Sequence, residues 1–320
     1  MDNLAPVLII TLNRCQHLKR CIESLQKNSL APSTELYISV DFPPSGKYEK
    51  GNREVLNYLN AGISGFKEVH VYRQERNLGV FENDVFLKEK VFEKHDRYIF
   101  TEDDNIFSEN YLEYMNYYLK KYEDDEEIFA VCGYSYPINW GENENTVIKS
   151  TMLSAWGYGS WKKKYLKYKT FHKNDIRQYL GSFKRGIELF KRNRHIFSES
   201  VLIACDRHYF PMYDSDGYFY DMDLVVGIRL YMTGERVIMP VLSKVRNEGH
   251  DGSGVNCAGE TESVFENQPL DKNCHYISSS EPMELTGKQE KAISEYFPVG
   301  IKSSIKALLL WMELMCRVRE

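Results

Sequence analysis

Short apolar runs alternate with amphipathic stretches along the first 133 residues of the chain. Runs at residues 7–11, 35–41, 69–73, 97–101 and 128–133 read as buried strands. Between them, Leu18, Cys21, Ile22 and Leu25, and then residues 49–60, 81–93 and 111–122, repeat apolar positions at helical spacing. Ser108 reads as the cap of the last of these helices. Strands alternating with helices predict right-handed βαβ units and a mainly parallel sheet.

After Gly133 the rhythm breaks. Residues 134–149 read as loop, 151–158 as a strand entering the aromatic cluster Trp156-Gly-Tyr-Gly-Ser-Trp161, and 162–194 as a basic helical region. A helix is expected over 221–233, a short strand over 236–239 and a loop over the glycine-rich 247–254. Residues 259–298 carry little periodicity. Ile301, Ile305, Leu308, Leu309, Met312 and Met315 then recur at helical spacing. The expected fold class is α/β, with a mainly parallel central sheet and a helical C-terminal extension. The expected organisation is a main domain over 1–258, divided into halves 1–133 and 134–258, followed by an extension over 259–320.

A length of 320 residues suits roughly two domains or one large α/β domain with an appendage. Net charge is −5, without the basic excess of a nucleic-acid footprint, so no nucleic-acid partner is expected. The seven cysteines are scattered and form no C-x-x-C pair, as in a reducing cytoplasm. Asp2 precedes the first strand and no small-residue cleavage site follows it, so no signal peptide is expected. Lys164 and its neighbours Lys162 and Lys163 read as a solvated helix face.

The most informative stretch is Tyr98-Ile-Phe-Thr-Glu102-Asp103-Asp104-Asn105, where an apolar strand delivers three consecutive carboxylates to its C-terminal end. Ligands of α/β sheets sit outside the carboxyl ends of strands. Carboxylate oxygens suit Mg²⁺ or Mn²⁺, which in turn hold substrate phosphates. The competing reading is an acidic turn before a helix. Asp41 ends the second strand, where it serves either as a turn residue or as a contact for a base or ribose. Arg14 follows the first strand as an exposed charge or a phosphate or base contact. Neither G-x-G-x-x-G nor a P-loop follows that strand, which argues against a dinucleotide fold and a P-loop nucleotidase.

Pro6-Val-Leu-Ile-Ile-Thr-Leu-Asn-Arg14, with Leu18 and Cys21-Ile-Glu-Ser-Leu25, resembles the opening of GT-A fold (Rossmann-like) glycosyltransferases. Arg76-Asn-Leu-Gly79 resembles a signature of the family-2 group. Glu102-Asp-Asp104, Ala155-Trp-Gly-Tyr-Gly159, Tyr220-Asp-Met-Asp-Leu224 and Pro240 to Gly249 resemble, in order, segments of N-acetylglucosaminyltransferase I. The resemblance spans residues 6–254. It implies that Asp104 binds a Mn²⁺ or Mg²⁺ ion bridging the donor phosphates, that Asp103 contacts ribose or metal-bound water, and that Glu102 contacts the donor sugar. Arg14 and Asp41 would hold the base, expected to be uracil, with Arg76 also on the nucleotide side. Asp221 would be the catalytic base. The triplet departs from Asp-x-Asp, and a base-contacting histidine of some relatives has no counterpart near Gln74.

On the residues alone, Asp221 opens the expected helix, whose dipole would hold its carboxylate ionised and ready to deprotonate a hydroxyl. Helix capping is the alternative role, and Asp223, roughly on the opposite side, is the competing base. His250, in its glycine-flanked loop, is either a metal ligand beneath a lid or an exposed loop residue. Trp156 and Tyr158 are candidates to stack on sugar rings.

These readings converge on a metal-dependent inverting glycosyltransferase, a hexosyl- or N-acetylhexosaminyltransferase. It would move a sugar from a nucleotide-diphosphate donor, expected to be a UDP-sugar, to a glycan or lipid-linked glycan in bacterial capsule or O-antigen synthesis. The alternatives are an inactive nucleotide-sugar or glycan-binding protein of the same fold, and a metal-dependent nucleotidyltransferase or phosphohydrolase. The expected location is the cytoplasm, with peripheral contact at the inner face of the membrane through the C-terminal helix. There Trp311 and the basic Lys302, Lys306, Arg317 and Arg319 would face an anionic leaflet, the alternative being that the helix packs against the catalytic domain.

Overall fold

A computed structural model describes residues 4–210, 212–253, 267–278 and 281–318. The first half follows the expected rhythm: β1 (Val7–Thr11), α1 (Cys15–Gln26), β2 (Glu35–Val40), α2 (Gly46–Asn60), β3 (Glu68–Arg73), α3 (Gly79–Phe92), β4 (Arg97–Glu102), a short β5 (Asn105–Phe107), α4 (Tyr111–Lys121) and β6 (Ile128–Cys132). There follow β7 (Val147–Ser150), β8 (Tyr158–Trp161), α5 (Lys162–Tyr168), α6 (Lys173–Leu180), α7 (Phe183–Arg192), α8 (Arg194–Ala204), α9 (Asp223–Thr233), β9 (Arg236–Pro240), β10 (Val245–Asn247), β11 (Met283–Glu284), α10 (Gly287–Tyr296) and α11 (Ile301–Val318).

One mainly parallel sheet, in the order β11-β7-β9-β6-β8-β4-β1-β2-β3, forms the centre. The strands β3, β2, β1 and β4 run parallel to one another, and β9 runs parallel to β6. The exception at the centre is β8, which inserts antiparallel between β4 and β6 and joins the residues before Gly133 to those after it in a continuous sheet. Strand β1 is buried on both faces, as a central parallel strand requires, and its run Val7-Leu-Ile-Ile10 carries no alternation. Beside the strand tips, β5 pairs antiparallel with β10 and pins the segment after Asn247 against the end of β4.

The structure corrects several expectations. Residues 151–157 are not strand; β8 begins at Tyr158, and β7 lies in the region read as loop. Within 259–298, residues 287–296 form α10, opened by a capping box between Thr286 and Gln289. Asn110, not Ser108, is the cap position of α4, and the Ser108 hydroxyl bonds the Asn110 side chain at 2.8 Å. Lys164 is buried and donates to the Glu126 carbonyl at 2.7 Å, rather than lying on a solvated face.

The C-terminal helix is present, but its orientation differs from expectation. It packs on α8 and α6 through Ala307, Trp311 and Leu314. Trp311 stacks on Phe183 and donates its indole N–H to the Leu180 carbonyl at 2.7 Å. Gly186 leaves the space its ring fills. Ile301, Ile305, Leu309 and Met312 form a second, exposed apolar stripe. The side chain of Arg317, and Arg319 altogether, lie outside the described residues. Among the described residues no helix is long and apolar enough to cross a membrane.

Candidate active site

The carboxylate triplet stands where β4 ends, next to the tips of β1 and β8. Asp103 accepts hydrogen bonds from the Thr11 hydroxyl at 2.6 Å and from Arg14. The same guanidinium reaches Asp104 Oδ2 at 2.8 Å, while the Asn247 amide donates to Asp104 Oδ1 at 2.8 Å. Arg14 thus bridges two members of the triplet. Burial works against its charge, but Asp103 and Asp104 outweigh that, and its pKa rises.

The Asp104 backbone carbonyl accepts the Glu248 N–H at 2.8 Å, so the chain after β10 lies directly over the triplet. Gly249 is what permits this approach. A Cβ there would overlap Asp104 Oδ2 and lie 2.8 Å from Asp104 Cγ and 3.2 Å from Arg14 Nη1. His250 follows, with its ring edge-on to Trp156 at 5.8 Å between centroids.

The two aspartates before and within α9 have different surroundings. Helix α9 starts at Asp223, so Asp221 does not open it and gains nothing from its dipole there. Asp221 instead accepts from Lys88 and, at 3.0 Å, from the Tyr158 hydroxyl. Lys88 is fully buried, bonds Asp84 at 2.7 Å, and is ringed by Tyr98, Phe100, Tyr158 and Tyr165 at 5.1–5.6 Å. Burial opposes the Lys88 charge, yet Asp221 and Asp84 together hold it protonated. Burial likewise raises Asp84 to about 6 against the pull of Lys88. Tyr158 therefore lies in the core, holding Asp221, and is not an exposed sugar platform.

Asp223, the first residue of α9, accepts the Ala155 N–H at 2.9 Å. Burial raises its pKa to about 7 against that hydrogen bond, with Asp221 adding to the rise. Glu102 is raised to about 8, first by burial and then by Asp104 and Asp223, with Arg14 only partly offsetting them. Glu102 is thus repelled by Asp104, Asp103 and Asp223, with the Arg14 guanidinium set against the triplet. Such an oxygen-rich, under-neutralised set fits a hard divalent cation. The absent Cβ of Gly249 lets the chain after β10 pack directly against the Asp104 carboxylate.

Two other candidates lie apart from this group. Asp41 accepts from the backbone N–H groups of Phe42, Leu78 and Gly79 and from the Asn77 amide, and so ties β2 to the start of α3. Arg76 is an exposed side chain paired with Glu82 at 3.1 Å. Sequence reading missed Thr11, Asn247, Asp84 and Lys88. The i,i+4 spacing of Asp84 and Lys88 on a helical stretch was the one available signal.

No protein-family profile and no curated protein sequence matches the chain. Likenesses to solved structures include glycosyltransferases. The S. aureus TarS structure is 12% identical, with 54% of this chain and 31% of that one covered and a TM-score of 0.36. TarS residues 1–349 are also 12% identical, with coverage of 76% and 59% and a TM-score of 0.41. The mannosyltransferase PcManGT of Pyrobaculum calidifontis, in complex with GDP-Man and Mn²⁺, is 10% identical, with coverage of 75% and 57% and a TM-score of 0.33. The chain thus spans between a third and three-fifths of the length of these structures. All three scores fall below 0.5, so the functional reading rests on the side chains.

Proposed function

We propose that this protein is a metal-dependent inverting glycosyltransferase that takes a sugar from a nucleotide diphosphate, a UDP-sugar in the first instance, and delivers it to a glycan or lipid-linked glycan hydroxyl. The observation that carries this reading is the convergence of Glu102, Asp103 and Asp104 at a parallel strand's tip, with Arg14 bridging Asp103 and Asp104, and the repulsion between Glu102 and Asp223 at a helix start. A phosphohydrolase needs the same cation and a base of its own, so the transfer assay separates it from this reading, whereas an inactive binding protein has no use for a base with a pKa near neutrality.

Asp104 would hold Mn²⁺ or Mg²⁺, with Asp103 beside it, and His250 is the nearest loop candidate for a further ligand. When bound, the ion supplies neutralisation of the departing diphosphate, worth several kcal/mol. The protein's own groups account for the rest. Thr11 and Asn247 fix the two carboxylates in place, and Arg14 keeps them from repelling each other apart. Glu102 is positioned to accept a sugar hydroxyl. Asp223 is the base: its pKa of about 7 lets it take the acceptor hydroxyl's proton near neutral pH, worth about 10²–10⁴-fold in rate. Asp221, already committed to Lys88 and Tyr158, positions the residues leading into α9. One base and one displacement give inversion at the transferred carbon. Trp156, at the edge of the group, is the sugar-stacking candidate that remains.

A lipid-linked acceptor is supported by the exposed stripe of Ile301, Ile305, Leu309 and Met312, accompanied by Lys302 and Lys306, which suits an anionic leaflet. The whole reading is tested by measuring sugar release and transfer from a panel of nucleotide sugars with Mn²⁺, in the wild type and in Asp104→Asn and Asp223→Asn.

A further inference from the structure

A second group of ligating side chains lies at the opposite pole of the sheet. Strands β2 and β3 run parallel with Glu35 opposite Glu68 and Tyr37 opposite His70. Because side chains alternate faces along a strand, Glu35, Tyr37, Glu68 and His70 all stand on one face of this pair. His95, in the turn between α3 and β4, reaches the same place. These residues sit at the beginnings of the strands, whereas the carboxylate triplet sits at a strand's end.

The spacing is that of a metal site. His70 Nε2 lies 3.5 Å from Glu35 Oε2 and 3.6 Å from Glu68 Oε2, and the ligand atoms of these three residues all lie within 4.8 Å of one another, while His95 Nε2 lies 3.1 Å from Glu35 Oε2 as its hydrogen-bond partner. Zinc takes histidine nitrogen and carboxylate oxygen at about 2.0–2.2 Å, so neighbouring ligand atoms of a zinc tetrahedron stand about 3.4 Å apart. His70 Nε2 is enclosed and makes no hydrogen bond among the described residues, although it points between two carboxylates. The stacked Tyr37 ring, 4.2 Å between centroids, holds the imidazole in that orientation.

Glu35 divides its oxygens. Oε1 pairs with the exposed Lys67 at 2.8 Å, and Oε2 faces the histidines and the Tyr37 hydroxyl, itself at 3.1 Å. Two carboxylates balance a divalent charge, and the His70 nitrogen ligand favours zinc-like ions over Mg²⁺ or Ca²⁺.

We infer that Glu35, Glu68 and His70, with His95 holding Glu35 by a hydrogen bond, form a binding site for a zinc-class divalent ion that fastens the edge strand β3 to β2. This inference does not rest on the proposed transferase activity. The test uses the full chain, stripped with chelator and held in excess Mg²⁺ to occupy the oxygen-rich strand-tip site. It is titrated with Zn²⁺ by calorimetry and with Co²⁺ by visible absorption. The expected result is one tight Zn²⁺ per chain, d–d absorption typical of tetrahedral Co²⁺, and a rise in melting temperature with Zn²⁺.

His70→Ala should weaken binding by more than about tenfold, since removal of even an outer-shell partner of a metal site costs that much. Glu68→Gln, at a half-exposed side chain that folding does not depend on, should do the same, and Asp104→Asn should leave binding unchanged. Unaltered Zn²⁺ affinity in Glu68→Gln and His70→Ala would overturn the inference. So would Zn²⁺ binding that disappears in Asp104→Asn, or a wild type that binds none.

Discussion

Gly249→Ala is a minimal perturbation of the proposed active site, because it adds one methyl group and replaces no ionisable residue. The new Cβ would stand 2.8 Å from Asp104 Cγ and overlap Oδ2. An unstrained C···O approach is about 3.3–3.6 Å. Either Asp104 leaves Arg14 and Asn247 or the segment after β10 lifts off the strand tip, in each case by about an ångström. Misplacement of that size at a reacting centre costs about 10²-fold, equal to about 2.7 kcal/mol. Overpacking costs about 1–3 kcal/mol of stability. Calorimetric titration of UDP in the presence of Mn²⁺, with thermal unfolding alongside, reads both. The expected outcome is a folded protein with a modestly lower melting temperature and at least about tenfold weaker metal-dependent UDP binding. Wild-type affinity in Gly249→Ala would refute the claim that Asp104 and the Gly249 segment form one site.

Asp223→Asn should lower turnover by at least about 10²-fold with nucleotide affinity nearly unchanged. Asp221→Asn should cost about 1–3 kcal/mol of stability by leaving Lys88 one carboxylate short, and the reverse ranking of kinetic effects would return the base to Asp221. Glu102 and Asp223 are raised from 4.5 and 3.8 to about 8 and about 7. The folded, chelator-treated protein therefore binds more protons than the unfolded chain between about pH 4 and 8, and its stability falls as pH rises through that window. Urea unfolding at several pH values checks this, and Glu102→Gln or added Mn²⁺ should flatten the slope. Ile305→Glu with Leu309→Glu should abolish co-sedimentation with anionic liposomes while leaving stability and activity on a soluble acceptor intact. Trp311→Ala, by contrast, should cost about 3–5 kcal/mol.

Local pattern carried the reading where burial and periodicity coincide. The unbroken run at Val7–Thr11 and the helical stripe at Leu18, Cys21, Ile22 and Leu25 left little choice of structure, and the carboxylates after Thr101 could only emerge at the end of their strand. What was not legible depends on contacts distant in sequence. Nothing around Tyr158 announces that β8 will insert antiparallel between β4 and β6, because partner and register are set by tertiary packing. The base assignment turned on a helix boundary two residues from its expected place, within the ordinary uncertainty of helix ends. It also turned on Lys88, which claims Asp221 from 133 residues away. The C-terminal helix carries apolar residues on two faces, so its periodicity could not show that Trp311 faces α7 and α8 while Ile305 faces outward.

The account's central claim is that a cation held at Asp104 and a base at Asp223 transfer a sugar from a nucleotide diphosphate. Its most direct test is product analysis after incubation with a panel of nucleotide sugars, a soluble acceptor and Mn²⁺, with the anomeric configuration read by NMR. The account predicts Mn²⁺-dependent transfer or slow release from at least one donor, with inverted configuration, lost on chelation and in both Asp104→Asn and Asp223→Asn. Retained configuration, activity surviving in Asp104→Asn, or a folded wild type that consumes no nucleotide sugar in the panel would contradict it.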